Sequence, residues 1–196
     1  MTTIEPFEAT DLLYLNNVNL DALTENFPLE FYFEYLILWP DLFFKSVEST
    51  VDCKISRDNI SGYMMAKTEG KQQEWHSHIT AVTVAPEFRR ISLASRLCNT
   101  LESITDSSPR NVNFIDLFVK CNNALAVRLY EKLGYSVYRR VVGYYNGPDD
   151  PYPDSTKTIS DEKDAFDMRK SMARDKGKST RKDGRSQRCL PQDVRF

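Results

Sequence analysis

His78 to Val84 alternates in the manner of a strand and runs through Ala85-Pro86 to the basic pair Arg89-Arg90. From Ser92 the chain then carries Leu93, Leu97, Leu101 and Ile104 at helical spacing. A strand delivered into a helix through so short a turn points to a sheet with helices laid upon it. The turn also has chemistry. The first backbone N–H groups of a helix have no intrahelical partner and carry partial positive charge, so an anion such as a pyrophosphate can bind there beside two arginines.

The rest of the chain extends this frame. Thr2 to Phe7 reads as a strand, Asp11 as a cap for a short helix from Leu12 to Asn16, and Pro28 to Leu38 as an aromatic-rich helix that stops before Pro40. On that helix Leu29, Phe33, Leu36 and Ile37 are expected inward, with Phe31, Tyr35 and Leu38 partly outward and available to a protein partner. Leu42 to Val47 and Ile60 to Thr68 follow as strands, separated by a turn at Asp58-Asn59. Phe114 to Val119 is nearly all apolar, the type buried on both faces in parallel pairing. Ala124 to Leu133 is a helix ended by Gly134, and Val137 to Tyr145 and Ala165 to Met168 are the last strands. The order predicts an α/β fold: one mixed-sheet domain over residues 1–172, with about seven strands and four helices, followed by a tail at 173–196.

Composition supports one packed domain, since 41% of the 196 residues are hydrophobic. Cys53, Cys98, Cys121 and Cys189 lack paired metal spacing and no secretory segment precedes them. Reduced thiols, no metal and an intracellular, cytoplasmic setting are expected. No apolar run is long enough for a membrane span. The net charge of −2 conceals an asymmetry: residues 169–196 hold 10 Lys and Arg against 3 Asp, so the end of the chain is basic and is expected to be extended or flexible.

Arg89, Ser92 and Ala94 fall on the Arg/Gln-x-x-Gly-x-Gly/Ala signature of the GNAT acetyltransferases, which the stretch resembles, with Ser92 standing where Gly is usual. A second segment is more specific. Asn123-Ala124-Leu125-Ala126-Val127-Arg128-Leu129-Tyr130, ending at Gly134-Tyr135, resembles the family's other signature, Asn-x-x-Ala-x-x-Leu-Tyr-x-x-x-Gly-Phe/Tyr. Within the superfamily the chain is similar to catalytic subunits of NatB-type N-terminal acetyltransferases. The resemblance is carried by Asn16 to Asp21, Leu23 to Phe27, Trp75 to Ala81, Asp116 to Val119, Gly134 to Arg139 and Asp167 to Lys170.

That resemblance implies transfer of acetyl from acetyl-CoA to the α-amine of nascent chains beginning Met-Asp, Met-Glu, Met-Asn or Met-Gln, by direct attack in a ternary complex. It also implies a large helical-repeat auxiliary subunit, through which the enzyme would meet the ribosome. By the same resemblance Arg89, Arg90, Ile91, Ser92, Leu93, Ala94 and Ser95 would hold the pyrophosphate, and Val82 would face the thioester oxygen from a bulged strand. Val84 and Asn123 would meet the pantetheine arm, and Tyr130 would protonate the departing sulfur. Glu25, Phe27, Thr80, Ala81, Tyr144 and Tyr145 would line the peptide slot. His78 would face the peptide's second residue, where a neutral imidazole donor serves acids and amides alike.

Elementary acid–base chemistry suits that reaction. An α-amine with a pKa of about 7.7 to 8.0 is roughly a tenth neutral at pH 7, against about 0.04% of lysine side chains. A water relayed to His78 or to a backbone carbonyl is therefore base enough. The competing readings are a GNAT enzyme acting on lysine or a small amine, and a non-catalytic acyl-CoA-binding scaffold, which Ser92 in place of Gly favours. The basic tail adds a weaker option, an RNA-associated module.

Overall fold

The computed structural model describes residues 2–21, 24–48, 59–107, 109–145, 159–176 and 178–194. Cys53, Asp58 and Leu23, on which parts of the sequence reading fall, lie outside the described residues. The chain divides into two compact units, residues 1–68 with 79–107, and residues 69–78 with 108–196.

The first unit carries strands β1 (Thr2–Pro6), β2 (Phe43–Glu48), β3 (Ile60–Glu69, up to Thr68) and the later part of β4 (His76–Val84), adjacent in that order. β1, β2 and β3 pair antiparallel. Gly62 on β3 has a specific reason to be glycine: a Cβ there would stand 2.5 Å from the Thr83 carbonyl oxygen. The end of β4 is thus seated directly on a neighbouring backbone.

Helices α1 (Asn16–Asn19), α2 (Leu29–Leu38) and α3 (Leu93–Thr105) complete this unit. Phe7, Leu15, Val18, Tyr32, Tyr35, Phe43, Ile60, Tyr63 and Met65 form its aromatic core, with Phe7 and Phe43 stacked at 4.0 Å. α3 buries Leu93, Leu97 and Leu101 of the predicted stripe, together with Cys98 and Thr105, while Ile104 is only partly buried.

Two local expectations are corrected. Asp11 is not an N-cap: the first helical turn is a 3-10 helix, Ala9–Tyr14, in which Asp11 accepts from the Glu8 backbone N–H at 2.7 Å and pairs, fully buried, with Lys45. The ion pair across 34 residues, invisible in local sequence, decides its role. α2 is rotated relative to expectation. Tyr32 and Tyr35 are buried, while Leu29, Phe33 and Ile37 are 60%, 43% and 76% exposed. The tyrosines win the inner face because their hydroxyls find partners there. Tyr32 accepts from the Asn19 amide at 3.2 Å, and Tyr35 meets Thr80 Oγ1 at 2.6 Å.

The second unit is built on β5 (Phe114–Lys120), β6 (Ser136–Val141), β7 (Ala165–Ser171) and β8 (Arg188–Cys189), in the order β5-β7-β6-β8, with α4 (Ala124–Lys132) between β5 and β6. β5 is buried on both faces along most of its length, as expected, but its pairing with β7 is antiparallel. β6 pairs antiparallel with β7 and parallel with β8, which makes the sheet mixed. α4 starts at Asn123, whose side chain accepts from Ala126 N–H at 3.1 Å, and ends before Gly134, whose φ of +92° suits glycine alone.

β8 raises the strand count among the described residues to eight. It lies in the basic segment read as an extended tail. Arg181 stacks on Tyr138 at 4.0 Å and donates to its hydroxyl at 2.9 Å, and Arg185 pairs with Glu131 at 2.7 Å. The basic charge is thus met by aromatic and acidic partners on α4 and β6, which composition alone did not reveal.

Candidate active site

In the first unit the strand-to-helix turn is shaped by its backbone. Arg90 and Ser92 take φ of +69° and +64°, the left-handed region, and Ser92 as N-cap makes no side-chain capping bond. The N–H groups opening α3, at Leu93, Ala94 and Ser95, are therefore left to an external acceptor by the geometry of any helix start. A diphosphate fits there: the cap is vacant, Arg90, Ile91 and Ser92 are exposed, and α3 runs 13 residues behind them.

Arg89 behaves otherwise than expected. Its Nε–H donates to the Val84 carbonyl at 3.0 Å and its guanidinium pairs with Asp21. It thus ties the end of β4 to the segment that follows α1, and Arg90 is the arginine left at the surface of the turn.

That same segment carries the peptide-slot candidates. Asn19 receives the Tyr63 hydroxyl at 3.2 Å and its carbonyl accepts from Asn26 at 2.9 Å. Burial, and after it Tyr32, pushes the Tyr63 phenol well up, so it stays a neutral donor. Phe27, half-buried, stacks on Phe31 at 4.7 Å, and Glu25 is exposed beside it in sequence. Thr80 is held by Tyr35, and Ala81 packs against the aromatic core. Val82 and Val84, on the same strand, are partly exposed.

The second unit gathers a different set. His78 Nδ1 lies 2.9 Å from Asp116 Oδ1, and His76 Nε2 is 3.6 Å from the same oxygen and 3.6 Å from Glu69 Oε1. His76 is buried, stacks on Phe114 at 4.7 Å, and places Nδ1 2.6 Å from the Glu74 carbonyl. Burial lowers its pKa, but Glu69, Asp116 and the Glu74 carbonyl outweigh that and raise it above the ordinary 6.5. His78 keeps 13% of its side chain exposed and meets Phe118 at 5.5 Å. Phe118 stacks on Tyr144 at 4.7 Å, and Tyr144 meets Tyr145 edge-on at 5.0 Å. Three residues expected to touch the peptide, His78, Tyr144 and Tyr145, are thereby joined in one aromatic chain.

Tyr130 is buried on α4, edge-on to Tyr135 at 5.7 Å, and Asn123 spends its carbonyl oxygen on the helix cap. Among the described residues no group of side chains could hold a metal ion, and Cys98, Cys121 and Cys189 form no disulfide. Burial pushes the Cys121 thiol up to about 11 and raises Cys189 too, so neither is a ready nucleophile. Sequence reasoning missed Asp116, Phe118 and Asp21 as site residues. The signal for Asp116 was present, a lone carboxylate inside the apolar strand Phe114 to Val119 that needs a buried partner. Asp21 meets its arginine 68 residues away and left no such signal.

The chain is similar to known proteins. The Acetyltransferase (GNAT) family model matches residues 15–135. The chain is 74% identical to the N-terminal acetyltransferase B complex catalytic subunit NAT3 of Saccharomyces cerevisiae over 100% of both chains. A solved NatB acetyltransferase complex bound to a bisubstrate inhibitor matches at 51% identity and a TM-score of 0.83, covering 99% of each chain. Naa20 of Chaetomium thermophilum, in complex with a bisubstrate analogue, matches at 38% identity and a TM-score of 0.80 over 99% of this chain and 100% of its own. The chain belongs to the GNAT acetyltransferase family and, within it, to the catalytic subunits of N-terminal acetyltransferase B.

Proposed function

We propose that this chain acetylates the α-amine of nascent proteins that retain Met and carry Asp, Glu, Asn or Gln second, taking the acetyl group from acetyl-CoA by direct attack. The observation that carries the reading is the 74% identity to NAT3, which spans both chains end to end.

In this reading the N–H groups from Ile91 to Ser95 and the Arg90 side chain grip the diphosphate, while Arg89 braces the turn through Val84 and Asp21. Val84 and Asn123 meet the pantetheine arm, and Val82 N–H polarises the thioester oxygen. Tyr130 gives its phenolic proton to the departing sulfur. Glu25, Phe27, Thr80, Ala81, Tyr144 and Tyr145 line the peptide, and His78 faces its second side chain. The raised thiols of Cys121 and Cys189 support attack by the amine itself, with no acyl-cysteine stage.

The relatives' names place them in complexes, and the chain works with an auxiliary subunit. Leu29, Phe33 and Ile37, four residues apart and exposed along α2, supply an apolar stripe suited to it. A helical-repeat architecture for that subunit, contact with the ribosome through it, and a cytoplasmic location complete the proposal. Among the described residues no helix is long and apolar enough to cross a membrane.

The test is a peptide panel with the purified complex. Peptides beginning Met-Asp, Met-Glu, Met-Asn and Met-Gln are expected to be acetylated at the α-amine. Peptides beginning Ser or Ala, and internal lysines, are expected to be poor substrates; equal rates on either would overturn the reading.

A further inference from the structure

A carboxylate accepts hydrogen bonds and cannot donate them, so a ring nitrogen bonded to one must carry the proton. Asp116 is fully buried on β5, and its Oδ1 lies 2.9 Å from His78 Nδ1. That contact fixes the proton of His78 on Nδ1. In the neutral ring Nε2 is then an acceptor only, and it donates only from the imidazolium. The neutral donor that would serve acids and amides alike is removed by this pair.

The surrounding charges hold Asp116 in that role. His76 approaches its Oδ1 at 3.6 Å and is itself drawn toward Glu69. Arg169 stands opposite Asp116 in the β5–β7 register, bonded to both Asp167 oxygens at 3.1 Å and facing Glu74 at 3.8 Å, and Arg139 shares Asp167 Oδ2 at 2.8 Å. Further along β5, Phe118 covers the His78 ring and Lys120 sits 5.0 Å over Tyr145. Acidic and basic groups thus meet around the carboxylate, and aromatic rings flank the imidazole.

We propose that Asp116 is a positioning residue that makes His78 a protonation-controlled selector of the substrate's second side chain. The imidazolium donates from Nε2 to the carboxylate of Asp or Glu; the neutral ring accepts at Nε2 from the carboxamide of Asn or Gln. The inference rests on the reading of His78 as the residue facing that side chain. It makes the balance between acidic and amide substrates a function of pH.

The experiment uses the chain in complex with its auxiliary subunit, saturated with acetyl-CoA, and two peptides that differ only in Asp or Asn at position two. The ratio of their kcat/KM values cancels the α-amine titration common to both, and the substrate carboxylate, with a pKa of about 3.9, stays ionised above pH 6. Since the ratio of imidazolium to imidazole falls tenfold per pH unit, a strict selector lowers the Met-Asp to Met-Asn ratio by about that factor. Between pH 6.5 and 8.5 the wild type is expected to lose at least about fivefold. Asp116→Asn is expected to level the profile, because its carboxamide can donate to Nδ1 and leave the proton on Nε2 of the neutral ring.

A level wild-type ratio overturns the inference, and so does a falling ratio that survives unchanged in Asp116→Asn. If Asp116→Asn fails to fold, His78→Gln takes its place: it has no titration, and a ratio that still falls there overturns the inference. His78→Ala separates the two levels of argument. Full rates on both peptides would remove His78 from peptide recognition and this inference with it. A large loss on both, together with a level wild-type ratio, would overturn the selector alone.

Discussion

The turn from Ala85 to Ser92 and the side-chain cluster around His78 are built from opposite materials. The turn is backbone: two left-handed residues, an uncapped helix start and a strand end seated on Gly62. The cluster is side chain: two histidines, the buried Asp116 carboxylate and a run of stacked rings. Backbone dipoles do not titrate and survive most substitutions, so the turn should bind its anion across a wide pH range. Ionisable side chains respond to each proton, so the cluster should be sensitive to pH and to the loss of one atom. In the proposed function, grip and selectivity thus fall to groups of different chemistry.

The largest expected effect lies on the side-chain side. Tyr130→Phe removes one hydroxyl from a buried phenol and should lower kcat by about 100-fold, the lower range for a positioned general acid. Acetyl-CoA affinity should hardly change, because the proposed diphosphate grip is made by the α3 turn and not by Tyr130. Rapid-mixing kinetics and a CoA titration check both halves; unchanged kcat would show that the thiolate leaves unaided.

Arg90→Glu attacks the turn through its one exposed cation. Reversing that charge at a helix start should weaken acetyl-CoA by about tenfold at low salt, and the loss should shrink as salt screens it. Binding measured by calorimetry at two salt concentrations decides it. Equal affinity would mean that the N–H groups suffice and that the division between backbone and side chain is sharper still.

Folding stability should carry the cluster's signature as well. The pKa of His76 is raised in the folded state above its unfolded value near 6.5, so its contribution is fully present below about 6.5 and is lost as pH rises through the folded value. Urea midpoints of wild type and His76→Gln, taken from pH 6 to 9, should therefore converge as pH rises. A gap that stays constant would mean that stacking on Phe114, not charge, is what His76 contributes.

These contrasts also explain what the chain could reveal before its structure was known. The turn and α4 were legible because each is written in consecutive residues: strand, Arg89, Ser92 and helix in one case, Asn123 to Gly134 in the other. Boundaries of α2, α3, β2 and β3 held within a residue or two for the same reason. The cluster around His78 was only half legible. His78 could be named, but its proton is assigned by Asp116, 38 residues away. The rotation of α2 was missed because a count of apolar residues cannot see that Tyr32 and Tyr35 find buried hydroxyl partners while Leu29 and Ile37 find none. Docking of the basic segment was missed because its partners, Tyr138 and Glu131, are set by tertiary contact.

The smallest expected effect is the one that isolates backbone from side chain most cleanly. Ser92 occupies φ +64° at the position where the family signature has glycine, and its hydroxyl makes no capping bond. An L-residue there costs of order 1 kcal/mol, which glycine avoids while giving back part of the gain in chain entropy. Ser92→Gly should therefore raise stability by up to about 1 kcal/mol, or about 2–4 °C in Tm, with acetyl-CoA affinity equal or slightly higher. Ser92→Val should move both the other way, since a β-branched residue tolerates that φ poorly. A loss of stability or of affinity in Ser92→Gly would show that the hydroxyl itself contributes to the turn, and the claim that this half of the site is made of backbone would fail at its most exposed residue.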